Sequence, residues 1–221
     1  MRRLALFAFL LLAPAAQARP VLVEMFVSQA CSSCPPADAL LKQLAAQDKD
    51  ILPLSLNVSY WNDLGWHDTD ATKATTLRQF YYAALGDNQV YTPEAVVDGK
   101  TQLVGSNKAK LTAAIAAAKA AMIPPVPLSI KGGAMVSLEI PQGQGAGQII
   151  LFGYDSQSQT SITAGENRAS TITEVNVVRS ITALGPWNGW DERFTIPHPA
   201  GQHLALLLQA KNGTVLGLAT Q

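Results

Sequence analysis

Cys31-Ser32-Ser33-Cys34 holds the only two cysteines of the chain, and their spacing points to covalent chemistry. The stretch follows a β-branched, apolar run, Val21 to Val27, and precedes Pro35-Pro36, which suit the first turn of a helix. At that position the free N–H groups and the dipole of the helix N-terminus favour a thiolate. Cys31, just ahead of the helix, is expected to be the exposed nucleophile. Cys34, in the first turn, is expected to be the resolving thiol that closes an intramolecular disulfide. The Ser32 and Ser33 hydroxyls stand where they can donate to a thiolate.

Other chemistries use the same two residues. A purely structural disulfide at this spacing closes a very small loop and removes little unfolded-state entropy. The protein would then be a non-catalytic binding module. A zinc site needs a second pair of ligands, and the chain offers no third cysteine and only His67, His198 and His203. Copper held by Cys31, Cys34 and His67 is less demanding. Thiol–disulfide exchange is the leading reading, and it needs no cofactor beyond the disulfide itself.

These cysteines sit in a chain of 221 residues with 16 basic and 16 acidic side chains, 48% of it hydrophobic. That apolar content excludes intrinsic disorder, and two cysteines exclude a disulfide-dense mini-protein. Balanced charge gives no electrostatic footprint for nucleic acid. Met1-Arg2-Arg3, the apolar run Leu4 to Ala13 and Ala16-Gln17-Ala18 have the layout of a secretory signal peptide, residues 1–18, cut after Ala18. The apolar run is too short for a bilayer span, and no later segment approaches that length. Losing Arg2 and Arg3 takes the basic count from 16 to 14 against 16 acids, so the mature chain is slightly acidic. It is expected to be periplasmic or secreted, where a disulfide persists.

The elements that must position the cysteines alternate up to Met122. After the first strand, Ala37, Leu40, Leu41, Leu44 and Ala45 mark one apolar helical face. Ile51 to Val58 reads as a second strand. Asp70 is placed to cap a helix running to Leu85, with Gly86 as its stop. Ala95 to Val97 and Lys100 to Val104 flank a tight Asp98-Gly99 turn, and Leu111 to Met122 is a last helix. Pro124-Pro125-Val126-Pro127 then reads as a stiff linker. Beyond it, Met135–Ile140, Gln148–Tyr154, Thr171–Ile181 and Leu204–Ala210 are short apolar runs, with a hairpin signal at Lys211-Asn212-Gly213-Thr214. The division expected is residues 19–123, carrying the cysteines, and residues 124–221, β-rich.

Val23-Glu-Met-Phe26, Cys31-x-x-Cys34 and Val90-Tyr-Thr-Pro93-Glu-Ala-Val-Val-Asp-Gly99 together resemble the thioredoxin fold. The fold class this implies is an α/β thioredoxin-like domain, a mixed sheet flanked by helices, followed by a small all-β sandwich-like domain. The resemblance implies that Pro93 is cis and lies beside Cys31, and that the Thr92 backbone pairs with an extended substrate peptide. It departs from thioredoxins at Ala30, where tryptophan is common, and at Glu24, which lies seven residues before Cys31 rather than six. Glu24 is either a buried proton acceptor for Cys34 or turned to solvent. Longer strings, Glu24 to Asp38, Tyr60-Trp-Asn-Asp-Leu-Gly-Trp-His-Asp68, Gly165-Glu-Asn-Arg168, Asn176-Val-Val-Arg179 and Leu184-Gly-Pro-Trp187, resemble the secreted bacterial family called domain of unknown function 1223.

Tyr60, Trp61, Trp66 and His67 form an aromatic cluster after the second strand. Trp61 and Trp66 either line the substrate groove or pack the insert onto the core. Glu166, Arg168, Glu174 and Arg179 read as ion-pairing groups of the β-rich part, and Trp187 and Trp190 as core staples or a ligand platform. The partners expected are a protein or small-thiol disulfide substrate and a redox partner that resets the couple, with no nucleic acid.

Overall fold

The computed structural model describes residues 19–221. The expected signal peptide, residues 1–18, lies outside the described residues. Eleven strands and three helices are present among the described residues: β1 (Val21–Val27), α1 (Pro35–Gln47), β2 (Ile51–Asn57), α2 (Lys73–Leu85), β3 (Glu94–Val97), β4 (Thr101–Val104), α3 (Lys108–Ala120), β5 (Ser129–Lys131), β6 (Met135–Ile140), β7 (Gly147–Ser161), β8 (Thr171–Trp187), β9 (Glu192–Pro197), β10 (His203–Gln209) and β11 (Val215–Thr220). A short 3₁₀ turn, Ser59–Trp61, follows β2.

The expected fold class, a thioredoxin-like domain followed by a separate small sandwich, is corrected. One eight-stranded mixed sheet runs through the chain in the order β11-β10-β7-β8-β2-β1-β3-β4, with a second sheet, β5-β6-β9, beside it. The join is β2 with β8, parallel, with Ser55 opposite Val177. Asn176 Nδ2 reinforces it by donating to the Pro53 carbonyl at 2.8 Å. The outer edge of β2 is therefore paired, which removes an open edge. Strands β7 and β8 are longer than the apolar runs that announced them, because their outer halves, such as Ser156–Ser161, are polar and partly exposed.

Alternation along the strands sorts the core into faces. Val21, Val23, Met25 and Val27 pack under α1 and α3 with Leu41 and Leu111. Leu22 and Phe26 face the other way, toward Tyr82 of α2, and share that face with Phe152 and Leu207. Farther along the sheet, Ile149, Leu151, Leu206 and Leu208 are covered by Val136, Leu138 and Ile140 of the small sheet. Every residue of β1 and β2 is buried, as expected for central strands covered on both faces. Helix α2 starts two residues later than the Asp70 reading, because Thr72 and Thr75 form a reciprocal capping box. Asp98 and Gly99 both have positive φ, as the tight hairpin turn requires.

Candidate functional site: the Cys31–Cys34 loop and the acids beneath it

Cys34 is the N-cap of α1 and Cys31 lies one turn ahead of it. The two are joined as a disulfide with Cα atoms 5.5 Å apart. Pro35 and Pro36 occupy the first two helical positions, so neither supplies an N–H. The next two amides, of Ala37 and Asp38, both donate to the Cys34 carbonyl. The expected set of free helix-terminal donors is therefore spent or missing. The hydroxyl that remains near the sulfur is that of Ser33, with Oγ 3.3 Å from Cys31 Sγ and 3.4 Å from the Thr92 carbonyl, to which it donates. A second correction concerns exposure: Cys31 is only 1% exposed, although Ser32 and Ser33 are open to solvent.

The loop between β7 and β8 contributes to this burial. Asn167 Nδ2 donates to the carbonyls of Gln29, at 2.9 Å, and Cys31, at 3.0 Å. The aromatic insert abuts the same loop, since a Cβ on Gly65 would lie 3.3 Å from Gly165 Cα. Trp66 Nε1 donates to Gln29 Oε1 at 3.1 Å, so Trp66 props the residue two before Cys31. Trp61 is partly buried and packs against the cores on both faces of the sheet. The Thr92–Pro93 peptide is cis, and the Pro93 carbonyl accepts from the Gly105 amide at 2.9 Å.

Beneath the loop lies a group of buried acids that sequence reasoning missed. Gln29 joins them: its amide donates to Asp68 Oδ2 at 2.7 Å, and its side chain donates to Asp70 and Glu174, each at 3.3 Å. Asn57 bridges Glu174, at 2.7 Å, and Asp68, at 3.1 Å. Asp70 has a cation, Arg179, which also binds Asp155. The ion pairing imagined for Glu166, Arg168, Glu174 and Arg179 is thus replaced: Arg179 reaches the insert, and Glu174 faces Asn57 and Gln29. Asp38, Asp68 and Glu174 have no cationic partner among the described residues.

Burial pushes the Asp38 carboxyl up to about 7, helped by the nearby Asp68 charge. Burial also raises Glu174 well above the usual carboxylate range, with Asp38 and Asp68 adding to it. Asp68 is raised by burial too, but three donors, the Gln29 amide, Asn57 and the Asp70 amide, pull it back. Of the three, Asp68 is the one with most donors to stabilise a charge. An acid in the first helical turn reads in a sequence as a dipole complement, and nothing in the sequence marked Asp38 as buried.

Glu24 lies elsewhere. It is on the α2 face of β1, opposite the face that packs against the cysteines. There it accepts from Arg78 Nε at 2.8 Å and Nη2 at 3.0 Å, and from the Tyr82 hydroxyl. The proton-acceptor reading of Glu24 thus gives way to a buried ion pair. His67 is exposed, and among the described residues no three His, Cys, Asp or Glu side chains are grouped as metal ligands. Glu94, directly after Pro93, is a second missed acid. Burial pushes its carboxyl up to about 7, against the pull of Gln79, which donates to it at 2.7 Å. Trp187 is fully buried and donates to the Trp190 carbonyl at 2.6 Å, while Trp190 is 69% exposed.

No helix among the described residues is long and apolar enough to cross a membrane. A crystal structure of protein AGR_C_4864 from Agrobacterium tumefaciens is 29% identical, with a TM-score of 0.78, covering 92% of this chain and 94% of that one. The structure of HBP35 of Porphyromonas gingivalis is 10% identical, with a TM-score of 0.55 over 92% of this chain and 75% of that one, a likeness of fold alone. No curated protein matches. The family described as protein of unknown function DUF1223 matches residues 22–212, and the chain belongs to that family.

Proposed function

We propose that this chain is an exported thiol–disulfide oxidoreductase that works through the Cys31–Cys34 couple. The observation that carries the reading is the disulfide at the start of α1, with Ser33 poised between the Cys31 sulfur and the Thr92 carbonyl. A crosslink over so few residues adds roughly 2 kcal/mol of loop-closure stabilisation, less than half of what a 100-residue loop gives. Fixing the fold is therefore a weak reason for this disulfide, and exchange is the stronger one.

In the oxidised protein, a substrate thiolate attacks the Cys31 sulfur and the Cys31–Cys34 bond breaks. Cys34 leaves as a thiolate and takes up a proton. A second substrate thiolate then attacks the substrate sulfur of the mixed disulfide, which forms the substrate disulfide and releases Cys31 as a thiolate. Two electrons pass from substrate to protein, and the reverse sequence reduces a substrate disulfide. The substrate is a protein or small thiol, the groove wall includes Thr92 and Pro93 with Trp61 and Trp66 behind it, and a separate redox partner resets the couple.

The test is a redox titration of Cys31–Cys34 against glutathione, with insulin turnover by the wild type and by Cys31→Ser. A potential in the range of known exchange proteins, about −120 to −270 mV, with turnover lost in the variant, supports the proposal. A potential below roughly −300 mV, with wild type and variant equally inactive, sinks it and leaves the structural disulfide.

A further inference from the structure

The face of the large sheet that carries Glu24 has a single helix over it among the described residues. Helix α2 has 13 residues, which makes it about 20 Å long. It does not reach across the ends of β7, β8 and β10, and a cleft of about 730 Å³ remains between them and Tyr81. That size falls within the range of small-molecule sites. Its walls are mostly apolar, with Tyr81 of α2, Ile150 of β7, and Ala183 and Pro186 of β8. Its two charged lining residues are Arg78 and Lys211, and no carboxylate lines it.

Arg78 is 7% exposed and has five N–H donors. Nε and one Nη2 hydrogen serve Glu24, the other Nη2 hydrogen serves Tyr82, and one Nη1 hydrogen serves Gln209. The second Nη1 hydrogen has no protein acceptor among the described residues. A buried guanidinium with an unspent donor, an ammonium at Lys211 and apolar walls together select one kind of occupant.

We propose that this cleft binds a small amphipathic carboxylate. Its chain lies against Tyr81, Ile150 and Pro186, and its carboxylate accepts from the spare Arg78 donor while Lys211 screens its charge. The site is on the opposite face of the sheet from the disulfide and does not depend on thiol exchange.

Calorimetric titration of the disulfide-intact chain with decanoate, decanol and decylamine tests this. Decanoate is expected to bind at one site about tenfold or more tighter than decanol, the usual worth of a charge-assisted hydrogen bond. Lys211→Glu is expected to weaken it about fivefold, as for an exposed charge. Ala183→Trp should abolish binding by filling the cleft. Ala183 and Lys211 are both exposed, so neither change threatens the fold, and thermal melting checks this. A Cys31→Ser/Cys34→Ser variant should bind as the wild type does. Equal binding of decanol and decanoate, binding that survives Ala183→Trp, or no binding by any straight-chain carboxylate from hexanoate to dodecanoate overturns the proposal.

Discussion

Asn167 donates a hydrogen bond of 3.0 Å to the carbonyl of Cys31, 136 residues earlier in the chain. A loop from the last third of the protein thus holds the backbone of the residue whose sulfur the proposed exchange attacks. Its second bond, to the Gln29 carbonyl, pins the approach to the same turn. Asn167→Ala removes both donors, and each such bond is worth about 0.5–1.5 kcal/mol. Reduction of the disulfide by a phosphine is expected to become roughly 5- to 100-fold faster, measured by thiol release with time. An unchanged rate would show that Asn167 does not control access to Cys31.

The Ser33 hydroxyl, 3.3 Å from the Cys31 sulfur, can turn from the Thr92 carbonyl to donate to a thiolate formed there on reduction, and Pro35 and Pro36 bring no N–H. Ser33→Ala should raise the Cys31 thiol pKa by about one unit, the equivalent of one hydrogen bond. Thiolate absorbance followed against pH reads this directly. Ser33→Thr keeps the hydroxyl and should keep the value.

The acid cluster makes stability depend on pH with a defined sign. Asp38 titrates at about 7 in the folded chain against an ordinary 3.8, so the folded state holds the proton more tightly. Its contribution is complete below about pH 4, falls as pH rises, and is gone above about pH 7. Between those limits the wild type should lose roughly 2–4 kcal/mol through this group. Glu94, also pushed up to about 7, adds a loss of the same sign. Asp38→Asn should therefore flatten the curve only in part and be the more stable protein at pH 8. Urea unfolding of both proteins at several pH values measures the difference, and parallel curves would refute it.

Arg78 and Glu24 form a buried pair with Tyr82 and Gln209 around it. Arg78→Met leaves the Glu24 carboxylate buried without a counter-ion and should cost about 3–5 kcal/mol in denaturant unfolding. Adding Glu24→Gln should restore part of that loss. A double variant as unstable as the single one would mean that lost packing of the Arg78 side chain over Tyr82, rather than charge, sets the cost.

The local elements around the cysteines were legible because each follows short-range rules. The Val21–Val27 run, the apolar spacing of α1, the Asp98-Gly99 turn and the strand Met135–Ile140 are all present where sequence pattern places them. The joining of β8 to β2 was not legible, because it depends on a pairing between Ser55 and Val177 that no local pattern encodes. The acid cluster was hidden for the same reason. Asp38, Asp68 and Glu174 are each ordinary in their own segments and become unusual only when the sheet brings them together. Glu24 shows the converse: its place in β1 was right, but which face it takes follows from strand alternation and from Arg78, 54 residues away.

The β2–β8 pairing also joins parts of the chain that are synthesised far apart in time. A chain emerging from its N-terminus presents Cys31 and Cys34 early, with β2 still an open strand edge and without Asn167 or Glu174 to complete the turn above and the acids below. Until the residues after about 170 arrive, the thiols stay accessible to any oxidant and the edge to any neighbouring strand. A fragment ending near residue 123 is expected to form its disulfide readily and to aggregate, because what protects both features lies later in the chain.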